Sequence, residues 1–271
     1  MNYDQTIGAL GVYDHFIAFL IGTPRLFMII QVVPFMGNNI VTGQLKVVVV
    51  FSFYLLLSPA LVAQLPHIPE VDPSLLPRIL AIVIKEGFIG FFLGYLGSMV
   101  FWMIESVGLF IDNQRGAAMA AQTDPLSGSQ TSPLGSFLFQ CLVYIFFTSG
   151  AFITFLTLIY KTYEFWPPHE FIPMSWKMRL PELIIKQVDW LMSYTMLLAG
   201  PIAVACLLTD VSLGLVNRFA SQLNVYVLAM PIKSAVAAFL LIFYFKLLLE
   251  KATFLFKPFE TVLFQIKSLI Q

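Results

Sequence analysis

Residues 79–104 read ILAIVIKEGFIGFFLGYLGSMVFWMI, an apolar run whose charged residues are Lys85 and Glu86. The run exceeds the ~20 residues that an α-helix needs to cross the roughly 30 Å hydrocarbon core of a bilayer. Its apolar side chains do not alternate with polar ones, as they would along a half-buried strand. This stretch therefore predicts a membrane-spanning helix.

Runs of similar composition lie on both sides of this segment. Together with it, about six are long enough to cross a bilayer. They cover residues 15–34, 47–65, 79–104, 134–160, 190–209 and 225–249. Backbone amides in hydrocarbon must be satisfied within their own segment, and no run shows the alternation of a barrel strand. We predict an all-α polytopic membrane protein with about six hydrophobic helices arranged as hairpins.

The overall composition indicates the same class of protein. Hydrophobic residues make up 59% of the chain and charged residues 11%, against about 25% charged residues in an ordinary soluble domain. The fifteen basic residues balance the fifteen acidic ones, so no net electric field favours nucleic acid as a partner. Membrane lipid is the expected environment.

Residues suited to catalysis or cofactor binding are not grouped. Cys141 and Cys206 lie far apart in separate apolar runs, which indicates neither a disulfide framework nor a metal site. His15, His67 and His169 lie in different regions and lack the spacing of metal ligands. We predict that the chain is not an enzyme and that it holds no cofactor or metal.

Lysine and arginine residues predict the orientation. With six spans, both termini share one side of the membrane with the connections near residues 66–86 and 161–189. That side carries most of the lysine and arginine residues, namely Arg78, Lys85, Lys161, Lys177, Arg179, Lys186, Lys251, Lys257 and Lys267. The opposite connections carry Lys46, Arg115 and Arg218. The positive-inside rule places both termini, including a C-terminal tail at about residues 250–271, in the cytoplasm.

A row of glycines marks one face of the third segment. Their spacing of three, four and three residues places them on the same side of a helix; they are Gly87, Gly90, Gly94 and Gly97. Small residues in this arrangement let the backbone of another helix approach closely. We predict a helix-packing face, either within the chain or between subunits.

A different composition follows that segment, from Glu105 to Pro133. Charged residues stand here among glycines, alanines and small polar residues. On a helix, Asp112 and Arg115 would be neighbours three positions apart and able to pair. From the residues alone, two interpretations stay open, a solvated loop with a local salt bridge and a functional pore or gating loop.

This stretch resembles the FliR/SctT family, the T component of the type III export gate. The family pattern is a Glu, a Gly three residues on, an Asp, then Gln-Arg-Gly, and further on Asp-Pro near a Ser/Thr-Pro. The corresponding residues are Glu105, Gly108, Asp112, Gln114-Arg115-Gly116, Asp124-Pro125 and Ser132-Pro133. The fuller wording around Asp112 and Asp124 resembles injectisome members more than flagellar ones.

The resemblance implies a function for the whole chain, residues 1–271, as a single export-gate domain. It implies a bacterial inner-membrane protein that forms, with R-type and S-type subunits, the entry portal for unfolded secreted polypeptides. A U-type subunit is a further implied partner. The chain would then be a channel component.

The resemblance also implies a plug on the luminal side of the closed pore, formed by the loop at residues 106–124. The residues assigned to it are Gly108, Asp112, Asn113, Gln114, Arg115, Gly116, Met119, Asp124 and Pro125. Small side chains in this region allow tight closure with little adhesive surface.

Ionisable residues inside the apolar runs need partners, because an unpaired charge in lipid is costly. Arg25 and Lys233 lie deepest, and we expect them in structural ion pairs or subunit contacts, ahead of a proton relay. Lys85 and Glu86 lie near a predicted segment boundary, where we expect them to reach water by snorkelling.

A secondary transporter of a small solute is the main alternative function. Broken helices and membrane charges also mark substrate sites in transporters, and Pro201 and Pro231 interrupt the fifth and sixth runs. The absence of an evident inverted repeat argues against it. A purely structural membrane scaffold is a third possibility.

Overall fold

A computed structural model of the chain describes residues 12–37, 41–64, 75–117, 132–168, 180–219 and 225–256. The regular structure within these ranges is helical, which confirms the predicted all-α class. The α-helices are α1 (Val12–Val32), α2 (Gly43–Gln64), α3 (Leu75–Gln114), α4 (Pro133–Thr148), α5 (Ala151–Phe165), α6 (Leu180–Phe219) and α7 (Val225–Phe254), with a 3-10 turn at Pro34–Met36.

Most of these helices have the length and composition of membrane spans. Five of them, α1, α2, α3, α6 and α7, are long and apolar enough to cross a bilayer, and α4 with α5 makes a sixth span if the bent pair is counted as one. The prediction of one unbroken segment at residues 134–160 is wrong, because the helix breaks at Ser149 and Gly150. Gly150 has a φ of 77°, a left-handed conformation that glycine adopts readily and that commonly ends helices.

The third helix ends later than its sequence predicted. It continues past residue 104 to Gln114, so the boundary expected at the charge of Glu105 is wrong. Met103, Val107 and Ile111 recur every four residues and are all buried, so the apolar face of the helix continues while Glu105 stays exposed. Residues 106–114 of the predicted plug loop therefore lie in a helix.

The last two helices are also longer than predicted. α6 extends beyond both ends of the segment expected at residues 190–209, and α7 reaches Phe254, inside the expected tail. Residues 257–271 of that tail lie outside the described part of the chain. Pro201 and Pro231 fall inside α6 and α7, which continue through them. The two prolines therefore lie within their helices and end neither of them.

The chain forms two compact units. The first contains the described residues within Met1–Ser98 and Phe152–Leu180, and the second those within Met99–Ala151 and Pro181–Pro258. α3 contributes its first part to one unit and its last part to the other. The organisation of residues 1–271 as a single domain stays a prediction.

In the first unit, α1 passes close to the glycine face of α3. A Cβ placed on Gly90 would lie 2.9 Å from the Cα of Arg25, and one on Gly94 would lie 3.2 Å from the Cα of Ile29. Gly90 thus leaves no room for a methyl group, and at Gly94 the neighbouring atoms would have to shift by a few tenths of an ångström. Close approach of two backbones is what small residues permit between membrane helices.

The core of the second unit is rich in aromatic rings. The ring of Phe101 lies 5.2 Å from that of Phe146 and 5.7 Å from that of Phe256, and the last two rings are 5.2 Å apart. Such offset and edge-on pairs add stability beyond the burial of their area. They join α3, α4 and the residues that follow α7.

The apolar helices are buried within the chain to different extents. Within the apolar windows of α1 and α3, 39% of the residues are buried, whereas the share is 22% in α6 and 11% in α7. Ile242 and Phe243 of α7 are among the most exposed large hydrophobic side chains. α6 and α7 therefore have a smaller share of buried residues than α1 and α3.

We predict that Gly90→Ala lowers the thermal stability of the detergent-solubilised protein. The new methyl group would overlap the Arg25 backbone, and overpacking of this kind costs about 1–3 kcal/mol. Gly87→Ala is the matched control, because its Cβ would meet only the flexible side chain of Met28 at 3.7 Å. The control should be neutral or stabilising by up to about 1 kcal/mol. Equal losses of stability in the two variants would contradict this packing.

Candidate functional site

Charged side chains meet in the interior of the first unit. Arg25 of α1 and Glu86 of α3 are both fully buried, and the Arg25 Nε lies 2.7 Å from Glu86 Oε2. Lys85 Nζ lies 2.9 Å from the other oxygen, Glu86 Oε1. One carboxylate thus faces two cations, and α1 is tied to α3 at the level of the glycine face. The expected ion pair of Arg25 is confirmed, with Glu86 as its partner.

The same cations bind the end of α5. Arg25 donates to Thr162 Oγ1 at 3.1 Å and to the carbonyl oxygen of Trp166 at 2.9 Å, while Lys85 donates to the carbonyl oxygen of Pro168 at 3.0 Å. The carbonyl end of a helix carries a partial negative charge. The extra positive charge of the cluster therefore lies where the backbone of α5 can offset it.

Aromatic side chains complete the surroundings of Arg25. Its guanidinium lies 4.1 Å from the centre of the Tyr163 ring, a distance typical of a cation–π contact. The Tyr163 hydroxyl donates to the carbonyl oxygen of Gly22 at 2.7 Å. Tyr163 thus contacts both the Arg25 guanidinium and the backbone of α1.

The expectation that Lys85 and Glu86 reach water is wrong. Side-chain exposure is 5% for Lys85 and zero for Glu86. A lysine and a glutamate next to each other in an apolar run gave no sign of this in the sequence. The signal was the single arginine in the first run, which needs a buried anion once α1 packs against α3.

The chemistry of this cluster is that of a structural ion pair. It contains one anion and two cations, so it offers nothing to attract a further positive ion. Among the residues that the structure describes, no group of three or more His, Cys, Asp or Glu side chains is placed to hold a metal. The prediction that no cofactor is bound stays a prediction.

The described residues of the proposed plug, from Gly108 to Gly116, lie at the end of α3 in the second unit. Gly108 and Asp112 are buried, Asn113 is exposed, and Gln114 and Arg115 are half-buried. The predicted ion pair of Asp112 with Arg115 is confirmed, at 2.6 Å. Met119, Asp124 and Pro125 lie outside the described residues.

Gly116 follows this pair in a left-handed conformation. Its φ is 81°, and a Cβ there would meet Met230 Cγ at 3.2 Å. Both the backbone conformation and the nearby side chain favour glycine at this position. Gln-Arg-Gly is thus the sequence at which α3 ends.

Ser132 is a member of this site that the sequence did not assign. Its hydroxyl caps α4 by accepting from the Gly135 N–H at 2.9 Å, and it donates to Asp112 Oδ2 at 2.6 Å. A serine directly before a proline is a common start of a helix, which was the available signal for the cap. Nothing in the spacing predicted the bond to Asp112.

A second pair lies between the last two helices. Lys233 of α7 and Asp210 of α6 approach to 3.0 Å, with side-chain exposures of 14% and 43%. The expected ion pair of Lys233 is thereby confirmed. Both charges fall within apolar windows, so their pairing lowers the cost of placing these helices in hydrocarbon.

These features define a class of membrane protein. It is an all-helical, multipass membrane protein in which buried Arg25, Glu86 and Asp112 form ion pairs and in which α6 and α7 are the least buried of the long apolar helices. The model of the family described as bacterial export proteins, family 1, matches residues 16–258. The chain belongs to this family.

Similarity to individual proteins indicates the same family. The chain is 38% identical to Yop proteins translocation protein T of Yersinia pestis, over 82% of this chain and 83% of that one. It is 29% identical to surface presentation of antigens protein SpaR of Salmonella typhimurium, over 83% and 81%. It is 26% identical to flagellar biosynthetic protein FliR of Bacillus subtilis, over 85% and 87%. The predicted resemblance to the FliR/SctT family is confirmed.

We predict that Glu86→Gln strongly destabilises the first unit. The substitution leaves Arg25 and Lys85 buried without an anion, and breaking a buried ion pair on one side costs about 3–5 kcal/mol. Glu182→Gln is the control, because Glu182 forms an exposed pair with Lys186, which is worth about 0–1 kcal/mol. The midpoint of thermal unfolding in detergent should drop for the first variant only. A Glu86→Gln protein as stable as the control would contradict the structural role of the cluster.

Proposed function

We propose that this chain is the T-type subunit of a type III secretion export gate, of the injectisome branch. In this role it forms, with R-type and S-type subunits, the inner-membrane portal through which unfolded polypeptides enter the secretion channel. The observation that carries the proposal is its similarity, over 82% of its length, to a protein named for the translocation of Yop proteins.

The surface of the second unit supports a role in an assembly. α6 and α7 bury 22% and 11% of their apolar windows within the chain. Contiguous exposed apolar surface of this kind marks contact with lipid or with other proteins. R-type, S-type and U-type subunits are the proposed protein partners, and membrane lipid covers what they leave.

The proposed plug begins within the last part of α3. Its first residues, 106–114, are the end of a helix, and Gly116 in its left-handed conformation ends that helix. Residues 106–124 are proposed to narrow the luminal side of the closed pore. A rigid helical end followed by small side chains suits a seal that does not adhere to passing polypeptide.

The proposed topology follows from the basic residues. Counting α4 and α5 as one bent span gives six crossings, so both termini lie on the same side. The excess of lysine and arginine on that side supports a cytoplasmic location for both. In this arrangement the chain is a channel component with no catalytic role and no contact with nucleic acid.

We predict that a tagged copy of this chain, co-expressed with R-type and S-type subunits, is recovered with both in one detergent-stable complex. Because partner subunits would cover part of the exposed surface of α6 and α7, the chain expressed without them should aggregate or be degraded more readily. A photo-crosslinker at Met119 should capture a stalled secreted polypeptide, and one at Glu182 on exposed α6 should not. A chain that is a stable monomer by itself and binds a small solute would instead indicate the transporter alternative.

A further inference from the structure

The carboxylate of Asp112 is shared between two helices. The residue is 1% exposed, and each of its oxygens has its own partners. Oδ1 binds Arg115 of the same helix, with Nη2 at 2.6 Å and Nε at 2.8 Å. Oδ2 accepts from Ser132 Oγ at 2.6 Å and from the Leu134 N–H at 3.0 Å. A local salt bridge alone would use only the first oxygen.

The partners of Oδ2 lie at the N-terminus of α4. Ser132 is the N-cap, and Leu134 lies in the first turn, where backbone N–H groups lack helical partners. The first turn of α4 has no acidic residue of its own, although a negative charge there is stabilising. Asp112 supplies that charge from the neighbouring helix.

Two glycines bring the helices close enough for this bond. Gly108 lies one turn before Asp112 on α3, and a Cβ there would lie 2.8 Å from the carbonyl carbon of Leu134. A Cβ on Gly135 would lie 2.9 Å from the carbonyl oxygen of Glu105. The two backbones therefore touch at the level at which Asp112 reaches across.

We propose that Asp112 is a positioning residue that locks the end of α3 to the start of α4. It thereby fixes the distance between the end of α3 and the start of α4. The lock is a property of the second unit itself. Its consequence for export rests on the proposed function, because only there does the connection lie at the pore.

The lock requires a carboxylate and not merely a polar side chain. An asparagine has one oxygen and one NH₂ group, whereas Asp112 faces the donors of Arg115 on one side and those of Ser132 and Leu134 on the other. In either orientation, the NH₂ group of the asparagine would face a donor, either the guanidinium of Arg115 or the N–H of Leu134. Hydrogen bonds to a charged group are also the stronger ones.

Spin labels on Asn113 and Ser136, both exposed, test the lock directly by the distance between them in the purified complex. Asp112→Asn should broaden the distribution of distances, while Arg115→Gln, which removes the ion pair but spares the bonds to α4, should leave it narrow. Equal broadening in both variants would reduce Asp112 to a local salt bridge. An unchanged distribution in both would overturn the lock.

Secretion and ion leakage in the native host test the consequence for export. Asp112→Asn loses the charge-assisted hydrogen bonds to α4. It should therefore lower secretion, or raise leakage through the assembled gate, by about tenfold. The change should be small in Arg115→Gln and absent in Glu182→Gln. Broadened distances without any change in secretion or leakage would overturn the positioning role in export. If the unaltered chain fails to restore secretion to a strain lacking its own copy, the proposed function itself is wrong.

Discussion

Hydrocarbon surface that the chain does not cover is the constraint on which the rest of the structure depends. α6 and α7 are long and apolar, yet few of their residues are buried within the molecule. Water cannot solvate so many adjacent apolar side chains at acceptable cost. These helices must therefore lie against lipid or against other subunits.

Charges inside such an environment have to be neutralised locally, and the two units do this in different ways. In the first, Arg25, Lys85 and Glu86 form a fully internal cluster with the carbonyl end of α5. In the second, Asp112 joins two helices through a carboxylate bound on both oxygens, and Lys233 pairs with a partly exposed Asp210. The first arrangement fixes three helices to one another. In the second unit, the carboxylate of Asp210 stays partly exposed on a helix whose apolar side chains are exposed as well.

Much of the fold could be predicted from the sequence, because long apolar runs without alternation allow only helices in a bilayer. The errors came where two signals competed. Glu105 suggested an end for α3, but the apolar period through Val107 and Ile111 carried the helix onward. Gly150 gave a break within an apolar run, because a single left-handed glycine outweighs hydrophobic continuity. Charge–charge partners across helices, such as Glu86 for Arg25, depend on tertiary packing that no local pattern encodes.

The candidate site was predicted in part for the same reason. The neighbours Asp112 and Arg115 follow from helical spacing, whereas Ser132 meets Asp112 only because Gly108 and Gly135 let two helices touch. The glycine row of α3 was visible as a period in the sequence. The sequence did not show that α1 packs on this row, because a row of glycines fits another segment of the chain and another subunit equally well.

The most direct test of this account is the accessibility of α7 to water in intact membranes containing the co-expressed assembly. A single cysteine at Ile242, in a chain whose native cysteines are replaced, would be treated with a membrane-impermeant maleimide from both sides. The account predicts no labelling until the sample is denatured, because lipid or neighbouring subunits cover this face. Rapid labelling in the intact membrane would show that the surface faces water and would contradict the account.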